Sequence, residues 1–193
     1  GNVLSGEELI YIFAKYYLSE NKIKKGSVIV TNEIANHGLD ISLKKLSLKL
    51  KRVKVGDKNI LKEIIDNKYF FGGEPSGHFI FKDDILIGDG MTTAIRLLNL
   101  ILKKNKKLSM LRKGIDLLEV MNINQKIDRE KFYLSQENIY QKLNKLFKNL
   151  DIYYNIRPSG TEPLLRVNLQ YDKRNIKVIT LNKLKTQIIK VIS

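Results

Sequence analysis

The segment RPSGTEP at residues 157–163 combines residue types that bind phosphate. Its arginine presents a planar guanidinium that can hold a phosphate through two hydrogen bonds. Proline and glycine can hold the backbone open so that successive N–H groups face one point, and Ser159 and Thr161 add hydroxyl donors. Arg166 follows on the adjoining predicted strand. The same spacing also fits a capped turn with a surface arginine, so phosphate binding and a structural turn both remain open.

The segment GGEPSGH at residues 72–78 combines glycines with short polar side chains that could contact a ligand. Its glycines allow a ligand to approach the backbone closely. Glu74 and Ser76 place short polar groups on a rigid loop, which suits hydrogen bonding to sugar hydroxyls, and His78 could donate to a phosphate or a hydroxyl. Spacing alone favours a simpler interpretation, a strand-to-helix turn whose histidine makes a local hydrogen bond.

The composition limits the kinds of site that the chain can form. Of 193 residues, 43% are hydrophobic and 28% are charged, which is enough to bury a core. Cysteine is absent, which excludes a disulfide scaffold, a thiolate metal site and a cysteine nucleophile. No cluster of histidines and carboxylates has metal-ligand spacing, so no metal site is predicted in this chain. The longest uninterrupted apolar run, Leu9–Ala14, is too short to span a bilayer.

The net charge is strongly positive. Lys and Arg total 35 and Asp and Glu total 20, which leaves +15. Such a field attracts nucleic acid, acidic membranes or phosphorylated metabolites. The lysines are scattered along every segment, which favours a solvated surface over a clustered nucleic-acid interface. The sequence has no zinc-finger spacing, basic-zipper heptad or RNA-binding aromatic motif.

The elements that must position the two segments alternate over about the first hundred residues. Apolar periodicity predicts helices over 6–20, 34–47, 59–67 and 89–104, and strands over 27–30, 48–55 and 79–81. Ser5 with Glu8 predicts a capping box, and Asp89 and Thr92 are candidate caps of the last helix. The apolar face of that last helix is expected to contain Ile95, Leu98, Ile101 and Leu102. The alternation predicts an α/β/α sandwich with a parallel or mixed sheet.

A lysine-rich connector, KKNKK at residues 103–107, is the predicted domain boundary and divides the chain into 1–107 and 108–193. Beyond it, the pattern predicts a short helix near Leu108, a helix over 134–149 and a last helix over 174–191. Strands are predicted over 117–123, 152–156 and 164–169. This order predicts a small α+β domain with helices on one face of an antiparallel sheet, and it puts RPSGTEP at a hairpin tip.

Taken together, the motifs resemble those of the α-D-phosphohexomutases, and most closely the phosphoglucosamine mutases among them. RPSGTEP resembles the family's phosphate-binding loop, and GGEPSGH resembles its sugar-binding loop GGEQSGH, with Pro75 in place of the glutamine. GDG at 88–90, followed by Thr93-Ala94, is similar to the family's GDGxxTA helix start. KVGDK at 54–58 resembles its KVGDRYV stretch, and GNV at 1–3 resembles the piece that follows its metal-binding loop.

The resemblance implies that this chain holds the third and fourth of four domains. The third, sugar-binding domain would be residues 1–107, and the fourth, phosphate-binding domain would be residues 108–193. Nine residues are the implied substrate contacts: Lys54, Glu74, Ser76, His78, Arg157, Ser159, Gly160, Thr161 and Arg166. The family's phosphoserine and its Asp-rich Mg²⁺ loop belong to the first two domains and have no counterpart in this sequence. No catalytic residue and no metal ligand is therefore expected here.

The implied activity is that of a cytoplasmic isomerase of amino-sugar metabolism that contributes to peptidoglycan precursors. It would interconvert glucosamine 6-phosphate and glucosamine 1-phosphate through a phosphoserine and a bisphosphate intermediate. The expected partners are the phosphosugar and the N-terminal half of the enzyme, which would bring the Mg²⁺; neither a membrane nor nucleic acid is expected, and this chain alone should be inactive. Two alternatives stay open: part of a phosphomannomutase/phosphoglucomutase, and a non-catalytic basic module that binds sugar phosphates or nucleic acid.

Overall fold

A computed structural model describes residues 3–84, 86–176 and 178–192, and for residues 178 and 179 it describes the backbone alone. The first two residues of the predicted GNV motif therefore lie outside the described residues. The chain divides into two units, Gly1–Leu117 and Leu118–Ser193.

The first unit places helices around a four-stranded mixed sheet. Its elements are α1 (Gly6–Ser19), β1 (Val28–Asn32), α2 (His37–Lys45), β2 (Lys49–Val53), α3 (Asp57–Asn67), β3 (Phe71–Gly73), β4 (Phe79–Phe81), α4 (Gly90–Lys104) and α5 (Leu108–Leu111). The sheet order is β2-β1-β3-β4. Strand β1 is parallel to β2 and β3, and β4 is antiparallel to β3. The predicted capping box is confirmed, because Ser5 and Glu8 exchange side-chain and backbone hydrogen bonds.

Alternate side chains of this sheet are buried on opposite faces. The face that packs against α1, α2 and α4 carries Ile29, Phe71, Phe79 and Phe81. The other face carries Val30 and Ile80, which pack against Ile60 and Ile64 of α3. Helices therefore cover both faces, which confirms the predicted α/β/α sandwich.

The second unit is a small α+β domain, as predicted. Its elements are β5 (Glu119–Lys126), α6 (Arg129–Phe147), β6 (Ile152–Pro158), β7 (Leu164–Tyr171) and α7 (Val178–Ile192). The sheet is antiparallel throughout, with the order β5-β7-β6. Leu165, Val167 and Leu169 of the central strand pack into a core with residues of α6 and α7. The intervening residues of β7, among them Arg166 and Asn168, face the other side of the sheet.

Two features of the first unit differ from the sequence interpretation. The unit continues beyond residue 107, because Leu108, Leu111, Ile115 and Leu117 pack against its core. The expected apolar face of α4 does not face that core: Ile95, Leu98 and Leu102 are exposed, and Ile101 is half-buried. The helix instead packs through Thr93, Leu97 and Leu100. Apolar residues occupy both sides of α4, so periodicity alone could not identify the buried side.

Candidate functional site

Two of the predicted motifs, KVGDK and GGEPSGH, meet at one edge of the first unit's sheet. β1, β2 and β3 run parallel, so their carboxyl ends lie at the same edge. Asn32 ends β1, the KVGDK motif at 54–58 follows β2, and Glu74 follows β3. In open α/β sheets this edge is where ligands bind, so the topology brings the candidate residues to a suitable place.

The GGEPSGH segment is a β-hairpin. The backbone N–H of Glu74 donates to the carbonyl of His78 at 2.9 Å, and Gly77 N–H donates to the carbonyl of Glu74 at 2.9 Å. Gly77 has a φ of +97°, a left-handed conformation that favours glycine. The interpretation of this segment as a strand-to-helix turn was therefore wrong, because its ends pair as β3 and β4.

The carboxylate of Glu74 is buried and fixed by hydrogen bonds. Its Oε1 accepts from Asn32 Nδ2 at 3.0 Å and from Gly56 N–H at 3.0 Å, and its Oε2 accepts from Ser76 Oγ at 3.3 Å. Burial raises the pKa of Glu74, but hydrogen bonds from Asn32, Gly56, His78 and Ser76 outweigh burial and leave the pKa below its usual value. The site therefore holds an oriented, ionised carboxylate at neutral pH.

The KVGDK motif supplies one of these donors through its glycine. Gly56 has a φ of +122°, and this conformation directs its N–H toward Glu74. Asn59 Nδ2 fixes the turn by donating to the carbonyls of Lys54 and Val55. The side chains of Lys54 and Lys58 are exposed and make no ion pair within the described part of the chain. Both ammonium groups are therefore free to contact an anion at this edge.

The GDG motif lies beside the hairpin. A Cβ added at Gly88 would lie 3.2 Å from the Cβ of His78, so only glycine fits this close approach without displacement. Asp89 caps α4 by accepting from the backbone N–H groups of Met91 and Thr92 at 3.2 and 2.8 Å, which confirms it as the cap. His78 is 57% exposed, and its Nδ1 lies 3.4 Å from Glu74 Oε2. Its ring can therefore reach a ligand while it remains next to the carboxylate.

The RPSGTEP segment forms the tip of the β6–β7 hairpin in the second unit. Arg129 Nη2 donates to the carbonyls of Ser159, Gly160 and Glu162 at 3.4, 3.4 and 3.1 Å. The backbone N–H groups of Gly160 and Thr161 donate to no acceptor among the described residues. A Cβ added at Gly160 would meet nothing within 4 Å, so space is open beside these donors. The tip thus keeps two backbone donors available for an anion.

Two arginines occupy paired positions on the strands that lead into and out of this tip. Arg157 on β6 pairs directly with Arg166 on β7, so both side chains lie on the same face of the sheet. Arg166 Nη2 donates to Glu162 Oε2 at 2.8 Å, while its buried Nε has no hydrogen-bond partner within the described residues. The side chain of Arg157 makes no ion pair with any described residue. Glu162 neutralises Arg166 alone, so the unpaired guanidinium of Arg157 leaves net positive charge at the tip.

Sequence reasoning missed two residues that hold these loops. Asn32 ends a buried strand and donates to Glu74, and Arg129 begins α6 and donates to three loop carbonyls. Neither residue lies in a motif with its partner, because 42 and about 30 positions of sequence separate them. Their roles are visible only once the chain is folded.

Neither a metal cluster nor a membrane span occurs among the described residues. No group of three or more His, Asp or Glu side chains is placed to hold a metal ion in the described ranges. Across the same ranges, every helix is too short or too polar to traverse a bilayer.

An α/β/α domain that carries these motifs at its carboxyl edge, followed by a small α+β domain, defines the α-D-phosphohexomutase class of proteins. Residues 5–116 match the family model described as phosphoglucomutase/phosphomannomutase, alpha/beta/alpha domain III. The chain belongs to this phosphohexomutase family.

Individual relatives agree with this assignment. The chain is 38% identical over 174 residues to a phosphoglucosamine mutase of Clostridium botulinum, covering 88% of this chain and 38% of the relative. It is 39% identical over 174 residues to a phosphoglucosamine mutase of Caldanaerobacter subterraneus subsp. tengcongensis, covering 88% of this chain and 39% of the relative. A crystal structure of an N-acetylglucosamine-phosphate mutase in a substrate complex superposes with a TM-score of 0.78 at 16% identity, over 98% of this chain and 44% of that one. The chain thus spans about two fifths of the length of these curated relatives.

Proposed function

We propose that this chain is part of a phosphoglucosamine mutase that interconverts glucosamine 6-phosphate and glucosamine 1-phosphate. The observation that carries the proposal is the 38% identity to phosphoglucosamine mutases over 174 residues. That alignment is longer than the first unit, which ends at Leu117, so it includes residues of both units.

The first unit would bind the sugar. Glu74 offers a sugar hydroxyl an ionised carboxylate that Asn32 and Gly56 fix in place through Oε1. Ser76 and His78 are exposed next to it and offer further polar contacts. Hydroxyl groups look alike in both orientations of a hexose ring, so one set of contacts would serve the substrate and the reoriented intermediate. Lys54 would add positive charge for a phosphate at the rim.

The second unit would bind the phosphate that is not reacting. The guanidinium groups of Arg157 and Arg166, the hydroxyls of Ser159 and Thr161 and the open backbone at Gly160 are suited to phosphate oxygens. Phosphoryl transfer depends mainly on alignment and charge stabilisation, so holding the distant phosphate is a direct contribution to rate. This chain would thereby position a substrate on which other groups act.

The reacting groups would come from the rest of the enzyme. A phosphoserine in the first domain would donate the phosphoryl group, a bisphosphate would form and reorient, and the second domain would hold the Mg²⁺. The full enzyme would work in the cytoplasm and supply amino sugar for peptidoglycan precursors. The chain by itself would bind phosphosugar without turning it over.

Fusing the chain to the N-terminal half of the Clostridium botulinum relative tests this proposal. Purified chain alone should show no mutase activity, and the fusion should convert glucosamine 6-phosphate faster than glucose 6-phosphate or mannose 6-phosphate. A coupled assay of all three substrates measures the preference. Turnover by the isolated chain, or a fusion that prefers glucose or mannose phosphate, would contradict the proposal.

Replacing Arg157 tests the phosphate-binding role of the hairpin tip. In the fusion, Arg157→Ala should weaken phosphosugar binding by about 1–3 kcal/mol, the usual scale for hydrogen bonds to a charged group. Arg174→Ala is the matched control, because it removes an equal charge from an exposed site in the same unit. Calorimetric titration with glucosamine 6-phosphate measures the difference in affinity. Equal affinities of the two variants would mean that Arg157 does not contact the phosphate.

A further inference from the structure

Helix α4 carries large apolar side chains on a side that nothing in the described residues covers. Met91 is 72% exposed, Ile95 53%, Leu98 59% and Leu102 76%. At 100° per residue these four side chains lie within about 60° of one another, and they extend over about 16 Å of the helix. We call these four residues the α4 stripe.

The opposite side of the same helix packs against the core of the first unit. Thr93 and Leu100 are buried, and Leu97 packs against the core. Arg96 also turns inward: its guanidinium donates to Asp84 Oδ2 at 2.8 Å and lies 4.5 Å above the ring of Phe81. The α4 stripe is therefore not needed to attach the helix to its own domain, and its exposure calls for another explanation.

The α4 stripe also lacks charge in a chain that is rich in it. Between Gly90 and Leu102 the single charged residue is Arg96, which is paired with aspartates. A contiguous apolar patch of this kind marks an interaction surface. Two copies of the chain would each bring a net charge of +15, and this mutual repulsion disfavours a homodimer.

The position of the α4 stripe indicates what covers it. Met91 lies two residues after Asp89, and Gly88 lies against His78 at the candidate sugar site. A protein that covers the stripe would therefore reach the rim of that site. The family model that matches this chain is a third domain, and the curated relatives are more than twice as long as the matched region.

We infer that the α4 stripe is the docking surface for the domains that precede the third domain in a phosphohexomutase. This inference rests on the proposed function, because those domains would bring the reacting groups. Covering Met91, Ile95, Leu98 and Leu102 places that partner beside the Glu74 hairpin. The contact is apolar, so its strength depends little on salt.

Mixing the full 193-residue chain with the purified N-terminal half of the Clostridium botulinum relative tests the inference. Sedimentation velocity should show a monomeric chain on its own and a one-to-one complex in the mixture. The double variant Leu98→Gln/Leu102→Gln should weaken the complex by at least about tenfold, because it removes two of the four apolar side chains of the stripe. Both residues are exposed, so circular dichroism should show an unchanged fold. Leu134→Gln is the matched control, since this leucine is 90% exposed on α6 of the second unit.

Three results would overturn the inference: no complex with the unmodified chain, equal affinity of the double variant and the control, or a dimer of the chain alone that the double variant dissociates. Activity of the mixture separates this inference from the proposed function. A complex that depends on the α4 stripe but lacks mutase activity would contradict the function and support the docking surface. An active mixture in which the double variant binds as tightly as the unmodified chain would support the proposed function and contradict the docking surface.

Discussion

Three separate stretches of chain converge on the Glu74 carboxylate. Asn32 contacts it from the end of β1, Gly56 from the turn after β2 and Ser76 from the hairpin itself. The buried position would otherwise favour the neutral acid, so these donors decide its charge. A residue outside the predicted motifs, Asn32, can therefore control the charge of a candidate ligand-binding residue.

Asn32→Leu should raise the pKa of Glu74, because it removes a donor that stabilises the ionised form. The variant should also lower the free energy of unfolding by about 1–3 kcal/mol, since a buried carboxylate loses a hydrogen bond. Carbon NMR of the side-chain carboxyl during a pH titration measures the pKa. Asn67→Leu removes an amide at the exposed end of α3 and serves as the control. An unchanged Glu74 titration in Asn32→Leu would contradict the positioning role.

His37, at the start of α2, should make the stability of the protein depend on pH. Burial lowers its pKa to about 4, and nearby Arg52 and Lys44 act in the same direction while Asp40 opposes them. Between pH 6.5 and 4 the unfolded chain binds a proton on this ring that the folded chain does not. The free energy of unfolding should therefore fall as the pH drops through this window.

His37→Gln should remove this acid sensitivity. From pH 7 to pH 5 the unmodified protein should lose about 2 kcal/mol of stability more than the variant, as linkage predicts for such a shift. Urea unfolding of both proteins at the two pH values measures the difference. Parallel pH dependence of the two proteins would show that His37 is not responsible.

Among the secondary-structure elements, the strongly periodic ones were predictable and the short ones were not. The apolar pattern located α1 and the capping box that starts it, and the hairpin strands β6 and β7. Strand β3 was missed, because Phe71–Gly73 has three residues, two of them glycine, and its pairing comes from β1 and β4. Pairing across the sheet is a tertiary interaction, and local sequence does not encode it.

Helix α1 and the Glu74 hairpin are in closer contact than any side chain would allow. A Cβ added at Gly6 would lie 2.3 Å from the carbonyl oxygen of Glu74 and 2.6 Å from that of Pro75. Gly6→Ala should therefore displace the hairpin and cost about 1–3 kcal/mol, the range for overpacking. Hydrogen exchange of Gly77, together with thermal unfolding, reports both effects.

Gly90→Ala is the matched control for this variant. Gly90 is also the first residue of a helix, and a Cβ there would meet nothing within 4 Å. Its stability should stay the same or rise slightly through better helix propensity. A Gly6→Ala protein as stable as the Gly90→Ala protein would mean that the hairpin does not depend on this close approach.

Across the whole molecule, each unit has its own hydrophobic core. The predicted boundary rested on the lysine run at 103–107, but Lys103 and Lys104 belong to the end of α4 and both pair with Glu20. The residues that follow continue the first unit: Arg112 pairs with the buried Glu8, and Asp116 N–H donates to Ser42 Oγ at 3.1 Å. In sequence, this lysine run indicated a linker, although its first two residues form the end of a helix.

Truncated chains test whether the first unit ends at residue 107, as predicted, or at Leu117. Residues 1–117 should fold on their own, whereas residues 1–107 should be less stable by at least about 3 kcal/mol, because they lack Leu108, Leu111, Ile115 and Leu117. Thermal unfolding of the two pieces, followed by circular dichroism, measures the difference. Equal melting temperatures would place the end of the domain at the lysine run.

The sequence by itself determined the class of fold, the family and the two loop motifs, because periodicity and short motifs are local properties of the chain. Tertiary structure decided which side of α4 is buried, which donors stabilise the ionised form of Glu74 and where the first unit ends. Each of these depends on residues far apart in sequence that meet only after folding. Local patterns carry no information about such distant partners, so they cannot identify the groups that complete a site.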